Sequence, residues 1–503
     1  MNAPDATPSG PPWPWASWPV GRFLARLVLV LLVIGAGWAL ARLPLSLAVT
    51  LVLGLLVGAG LVLRPALGLV LVAFAIPFGS LRSLSLGGIK LGAQVALLAL
   101  VAVSWLLRQV ARRRVTWRWP MMGWAGLVLL GTLFLSFLPA TSLSAALKEL
   151  VKWTELWLAT VLVVNVADEA DGRLLAVSLL TAGAAEAFVG IGQLVRGRGP
   201  EAFMILGSVM RASGTFDQPN PFGGYMGLVL PLALALVMTA WPEGGDGAGR
   251  QQKVLWAAAA GATVLLGAGL YASWSRGAWL GAATALALVL VTRGGRWLRG
   301  AIAGSVLVVA VSTLVFGRLP LPGGLRQRFV DYAADLTTID VRAVEVTDAN
   351  FSVVERAAHW QAALGMIADH PWTGVGIGNY AAAYERYALP RWRDPLGHAH
   401  NYYLNIAAEA GLPGLGAYLL WVAAGVWVAI RAARVARGWH LGLALGALGL
   451  MMHLCVHSLF DNLYVHGMAM QGGLVLGLAA WVVATDGPQR AACRAKGAPW
   501  ETV

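Results

Sequence analysis

A succession of apolar runs, each about 16–28 residues long, constrains this chain more than any other feature. A helix needs roughly 20 apolar residues to cross the hydrocarbon core of a bilayer. Inside that core every backbone polar group must be paired within the fold, which leaves only helices and closed barrels. Fourteen runs are candidates: 22–42, 44–63, 65–80, 91–108, 119–138, 150–166, 173–193, 222–241, 253–272, 276–292, 299–317, 403–430, 439–459 and 465–485. Pro44 and Pro65 alone separate the second and third from what precedes them. The expected fold is an all-α polytopic membrane protein. It has about 12–14 transmembrane helices and a long, partly helical extracytoplasmic loop before the third-last helix.

Composition agrees. The 503 residues are 58% hydrophobic and only 12% charged, where a soluble chain carries about 25% charge. The net charge of +13 reads as the Lys/Arg excess of cytoplasmic loops, not as a nucleic-acid surface. The 23 tryptophans suit interfacial belts. Cys455 and Cys493 have neither disulfide nor metal-ligand spacing. The Pro-rich first 21 residues read as disordered, followed by an uncleaved first helix.

Basic loops set the expected sides. Arg108, Arg112, Arg113, Arg114 and Arg118 lie after run four; Arg293, Arg296 and Arg299 after run ten; Arg431, Arg434 and Arg437 after run twelve; Arg490, Arg494 and Lys496 in the tail. With fourteen spans all four groups face the cytoplasm, as do both termini. The domain plan is then 1–21, cytoplasmic; 22–317, an N-terminal bundle of about 11 spans; 318–402, an extracytoplasmic helical loop; 403–485, a C-terminal bundle of three spans; 486–503, a cytoplasmic tail. In the long loop, Val354, Ala358, Ala362 and Met366 recur at helical spacing, and "YAAAYERYAL" reads as a second short helix.

The unusual polar groups gather on the opposite face. In "GHAHNYYL" (397–404), His398 and His400 stand at the mouth of a helix that Asn401 can cap. Further on, "EAGLPGLG" (409–416) should bend that helix about three turns in. Arg211 opens the turn-rich "RASGTFDQPNPFGGY", and Arg276 sits in a very short connection, "SWSRGAW". His400 and Arg211 alone read equally as interfacial side chains, whereas Arg276, a cation on the face where Lys and Arg are scarce, is less easily explained as a topology signal. Together, two fixed cations and one titratable base match the displacement of a pyrophosphate from a sugar. Arginine forks stabilise the departing charge, and an imidazole takes the acceptor hydroxyl's proton. Neighbouring arginines favour the neutral imidazole that a base needs. No clustered carboxylates stand on this face for a divalent metal, so no metal or other cofactor is expected. Lys152 can pair with Glu149 or reach a phosphate; His457 and Asp461, four apart, can pair beside the site; Glu186 is a carboxylate inside an apolar run.

At these residues the chain resembles the O-antigen ligase/polymerase superfamily. "HAHNYYLNIAAEAGLPGLGAYL" is similar to its His-Asn signature, "RASGTFDQPNPFGGY" to its Arg-x-x-Gly-Thr-Phe element, "SWSRGAWLG" to its Ser-Arg-Gly element, and "ERAAHWQAALGMIADHPWTGVGIGNY" to its long-loop segment. The similarity spans residues 205–420 or so and leaves the N-terminal third unmapped. It implies a membrane glycosyltransferase of the GT-C type at the outer face of the cytoplasmic (inner) membrane. Such an enzyme passes a glycan from undecaprenyl pyrophosphate to a glycolipid or glycan acceptor, inverting and without metal. It also implies His400 as general base and Arg211 and Arg276 as pyrophosphate ligands. His398, Asn401, Lys152, His457 and Asp461 remain as support. The motifs do not separate a ligase from a polymerase that joins lipid-linked repeats, or from a protein O-oligosaccharyltransferase. A secondary transporter is the alternative from another class; it would show internal repeats and broken helices at the bilayer midplane.

Overall fold

A computed structural model describes residues 19–79, 83–86, 89–205, 207–239, 250–295, 299–300, 340–342, 344–347 and 350–495. The expected N-terminal segment up to residue 18, nearly all of run 299–317, loop residues 318–339 and tail residues 496–503 lie outside them.

The chain divides into two compact units, Met1–Leu63 and Arg64–Val503. The first contains α1 (Pro19–Ala41) and α2 (Leu45–Leu63). They are separated at Pro44, whose carbonyl accepts the first amides of α2 from Leu47 and Ala48.

The second unit begins with α3 (Ala66–Phe78), a short hairpin of β1 (Ser83–Leu86) and β2 (Ile89–Gly92), α4 (Ala93–Ala111), α5 (Gly123–Leu135), α6 (Leu143–Val166) and α7 (Glu169–Arg196). A two-residue hairpin, β3 (Met204–Ile205) with β4 (Val209–Met210), leads to α8 (Pro219–Thr239), α9 (Arg250–Ser273) and α10 (Arg276–Arg293). The loop helices α11 (Phe351–Asp369) and α12 (Tyr380–Tyr387) precede α13 (Tyr402–Val435), α14 (Gly438–His457) and α15 (Met468–Ala495).

Thirteen of the fourteen expected runs fall on helices; the fourteenth, 299–317, lies outside the described residues. Among the described residues, eight helices are long and apolar enough to cross a membrane: α2, α4, α7, α8, α9, α13, α14 and α15. The protein is an all-α polytopic membrane protein. Two expected spans differ. Run 119–138 shortens to the 13-residue α5, because the chain turns at Pro120 and again past Leu135. Run 150–166 is only the latter part of α6, which starts a full two turns earlier where the Ser142 hydroxyl accepts the Ala145 amide.

Lipid tails are as apolar as leucine, so helices in a bilayer associate through close packing and buried polar contacts. The seam between α14 and α8 follows this rule. Gly442, Gly446 and Gly449 of α14 lie directly on Leu236, Leu232 and Pro231 of α8, and a Cβ at Gly446 would come within 2.6 Å of Leu232. α10 packs on α14 and α8, α9 on α7 and α8, and α15 on α6. Below the start of α13, Trp153, Tyr402, Tyr418, Trp421 and Tyr464 form a buried aromatic cluster, with Trp153 and Tyr464 ring centroids 4.5 Å apart. The Tyr418 and Tyr464 hydroxyls meet at 3.0 Å, so the two polar tips satisfy each other.

The long loop folds as its periodicity predicts. α11 buries Val354, Ala358, Ala362 and Met366 on one face, and α12 covers the "YAAAYERY" stretch. The bend in α13 falls at Gly411, whose φ of 69° breaks the helix. A Cβ there would lie 2.5 Å from the Trp372 carbonyl carbon. Asn401 caps α13 as expected, accepting the amides of Tyr403 and Leu404. A short shelf helix, Tyr402–Ala410, thus precedes the long crossing segment.

Candidate functional site

Two turns carry the arginines. α9 ends at Ser273, Trp274 takes a left-handed φ of 50°, and α10 starts at Arg276. Arg211 reaches this same turn: its Nε donates to the Ser273 carbonyl at 3.0 Å, and an Nη donates to Asn220 Oδ1 at 2.8 Å. Both guanidinium-bearing residues are therefore anchored at one corner of the bundle. Arg276 in turn donates from Nη2 to the Ser352 hydroxyl, at the start of α11, at 3.2 Å.

α11 carries this corner towards the histidines. Seven residues beyond Ser352 stands His359, roughly 10 Å along the helix axis. Its ring stacks on Tyr384 and meets the His400 ring edge-on at a centroid distance of 5.8 Å. Tyr380 donates its hydroxyl to the His359 carbonyl and contacts His359 Nδ1 at 3.1 Å. Burial, with His400 and His398 nearby, pushes His359 down to about 3, so it is neutral at pH 7.

His400 occupies a left-handed backbone conformation, φ 51°, uncommon for a side-chain-bearing residue and held only where neighbours enforce it. The enforcing contacts are present. The His400 amide donates to His398 Nδ1 at 3.0 Å, the Ala399 amide to Asn405 Oδ1 at 3.0 Å, and the Tyr402 amide to the Ser458 carbonyl at 2.7 Å. The last contact docks the motif on the end of α14, three residues before Asp461. Asp461 Oδ1 lies 3.5 Å from His398 Nε2 and 3.6 Å from His400 Nδ1. Burial alone would raise this carboxyl, but the imidazoles of His400, His398 and His457 outweigh it and hold Asp461 below the usual carboxylate range. Burial and the His400 ring push His398 down to about 4, against the opposing pull of Asp461.

His398, His400 and Asp461 each offer one possible metal-ligand atom, all within 4.8 Å of one another. The hydrogen-bond pattern fits that use poorly. His398 Nδ1 accepts the His400 amide, so the neutral ring carries its hydrogen on Nε2, the atom that faces Asp461. A metal at Nε2 would drive that hydrogen onto Nδ1, against the His400 N–H. The Asp461 carboxylate faces one imidazole at Nε2 and stands beside a second at Nδ1. Both His400 nitrogens are buried without a hydrogen bond. A hydrogen on Nδ1, towards Asp461, would leave Nε2 open to accept one.

The other expected residues fall as follows. Lys152 pairs with Glu149 one turn earlier, and its charge also reaches His398. His457 acts electrostatically on Asp461, but among the described residues the two form no direct side-chain hydrogen bond or ion pair of the kind expected from their spacing. α14 ends at His457, so the two do not continue on one helical face; His457 Nδ1 meets His453 Nε2 at 3.4 Å instead. Arg356 and His359 were not singled out from the sequence. Arg356 donates to the Ser352 carbonyl and has a buried Nε with no hydrogen bond, and its charge acts on His359, His398 and His457. The available signal was their position in "ERAAHW", four apart from Ser352 and Glu355 respectively, on a helix that also presents a clear apolar face.

Residues 261–419 match the family model described as O-antigen ligase. The resemblance expected from the motifs is thereby borne out. The matched stretch runs from α9 through the Arg276 turn, α11 and His400 to just past the bend at Gly411. Arg211 and Asp461 lie outside it and join the site by geometry. No curated protein matches the chain. The match supports a ligase- or polymerase-type membrane glycosyltransferase.

Proposed function

We propose that this protein transfers a glycan from undecaprenyl pyrophosphate to an acceptor hydroxyl, inverting the anomeric centre and using no metal. The observation that carries the reading is the coupling of two clusters by α11: the Arg211–Arg276 corner at its start, and the His398–His400–Asp461 group against His359 two turns on. Roughly 10 Å of helix separates them. That length accommodates a diphosphate at one end and an acceptor hydroxyl at the other, with the anomeric carbon between.

In this reading the acceptor oxygen forms the new glycosidic bond as the carbon–oxygen bond to the pyrophosphate breaks. The acceptor proton passes to His400 Nε2, and Asp461 stabilises the imidazolium through Nδ1–H. The departing pyrophosphate keeps the bonding electrons. Arg211 and Arg276 are its fixed counter-charges, with Arg356 as a third cation nearby. One general base and a direct displacement give inversion. Domain roles follow: the loop around α11 and α12 forms the extracytoplasmic lid, and the glycolipid or glycan acceptor enters from that side.

The test is transfer by purified protein supplied with undecaprenyl-pyrophosphate-linked glycan and candidate acceptors in EDTA. Glycan on a separate acceptor, with inverted linkage, is the expected result. Elongated lipid-linked chains would assign the polymerase reaction instead. Transfer that requires added divalent metal would contradict the metal-free mechanism.

A further inference from the structure

Arg211 approaches the corner from a turn, Ser213–Thr215, that is held almost wholly by side chains of α7. Gln193 Oε1 accepts the amides of Ser213 and Gly214 at 3.0 and 2.8 Å, and its Nε2 donates to the Gly214 carbonyl at 2.8 Å. Two turns earlier on the same helix, Glu186 Oε1 accepts the Thr215 amide at 2.7 Å. Gly214, at φ 57°, lies so close that a Cβ there would collide with the Glu186 carboxyl. Glu186 is completely buried, and no cation pairs with it among the described residues.

The Thr215 hydroxyl bears on the state of Glu186, because it lies within donating distance of two acceptors. It contacts both the Pro77 carbonyl, at the last turn of α3, and Glu186 Oε2 at 3.0 Å. A hydroxyl has one hydrogen, and a carbonyl can only accept. With that hydrogen on Pro77, the bond to Glu186 needs a hydrogen on Oε2. A carboxyl group sealed in the bundle without a counter-charge avoids the cost of a buried charge in the same way.

We propose that Glu186 is a positioning residue for Arg211: a carboxylic acid carrying its hydrogen on Oε2, which clamps turn 213–215 and so sets where the guanidinium stands. The chain of contacts is short. Glu186 and Gln193 fix residues 213–215, the Ala212 amide donates to the Ala272 carbonyl at 2.9 Å, and Arg211 then lands on the carbonyl of Ser273. The proposal rests on the assignment of Arg211 to the donor pyrophosphate. Glutamine is the conservative replacement, because its amide supplies both the acceptor for the Thr215 N–H and a donor towards the Thr215 hydroxyl.

Infrared difference spectra of full-length protein in a lipid mimetic should show the carbonyl stretch of a protonated carboxyl at neutral pH, absent from Glu186→Gln. Initial-rate kinetics with undecaprenyl-pyrophosphate-linked glycan should give Glu186→Gln a donor KM within about twofold of the parent. Glu186→Ala and Thr215→Val should each raise it about tenfold, the scale of one or two lost buried hydrogen bonds, with the acceptor KM unchanged. Thr215→Val and Glu186→Gln keep the test intact if Glu186→Ala does not fold. A carboxylate-only spectrum overturns the proposal. So does a Glu186→Gln variant as impaired as the valine variant, or an unchanged donor KM in Thr215→Val. If Arg211→Ala itself leaves the donor KM unchanged, the donor assignment fails and the positioning role with it, while the infrared band still reports the hydrogen on Glu186.

Discussion

His400 combines a left-handed backbone, two buried ring nitrogens without hydrogen bonds, and a carboxylate 3.6 Å away. If it is the base, His400→Ala should lower the transfer rate about 10²–10⁴-fold, well beyond the loss of thermal stability that follows from removing a ring beside the buried Asp461 carboxylate. Rate and melting temperature measured on the same preparation check this. His398 has a separate signature. Its folded pKa lies near 4, below the ordinary 6.5, so the unfolded chain binds its proton first as pH falls. The associated stability is complete above about pH 6.5 and is lost between there and about pH 4. Asp461 is also depressed, but its contribution is lost only as pH falls below the ordinary carboxylate value of 3.8. The melting temperature should therefore decline from pH 6.5 to 4, and His398→Gln should flatten part of that slope. An equally steep decline in the variant would assign the effect to other groups.

At the scale of elements, the shelf helix and its bend place the histidine motif. Gly411 stands at φ 69°, where an added Cβ would run into the Trp372 carbonyl, and Gly374, at φ 65°, is placed likewise against the Glu409 carbonyl. A methyl group at Gly411 is opposed by both backbone conformation and contact, so Gly411→Ala should cost about 1–3 kcal/mol. Gly416→Ala, where nothing lies within 4 Å of the added carbon, should be close to neutral; comparing the two by thermal unfolding separates the bend from general helix effects. Much of this level is legible in the sequence. The apolar runs mark thirteen helices, Asn401 is recognisable as a cap, and the Gly-Leu-Pro-Gly stretch marks the bend. Helix ends are less so. Run 150–166 leaves out the first turns of α6, whose Lys148 and Glu149 look like a connecting loop to a hydropathy reading.

Across the whole molecule, the site depends on which connections meet, and hydropathy is silent on that. Asp461 lies 61 residues after His400 in the chain, yet its carboxylate sits between the two histidines because Tyr402 docks on Ser458. From spacing alone it belongs with His457, and that pairing is not the one formed. Arg356 and His359 are hidden for another reason: on an amphipathic helix, a functional face and a packing face share one periodicity. Arg211 and Arg276 meet because Arg211 bonds the carbonyl just before the Arg276 turn, a contact no local pattern announces. Because Arg276 spans from that turn to α11, Arg276→Ala should reduce transfer far more than it reduces the amount of folded protein in the membrane. Equal losses of both would mark it as structural.

The central claim is that the arginine corner and the histidine cluster serve one reaction. It is tested most directly by transfer rates of purified Arg211→Ala, Arg276→Ala, His400→Ala and Arg276→Ala/His400→Ala with undecaprenyl-pyrophosphate-linked glycan. Each folded single variant should lose most of its activity, and the double variant should be little worse than the more damaged single one, as for groups acting on one transition state. Wild-type turnover in a folded His400→Ala protein, or losses that multiply independently in the double variant, would contradict the account.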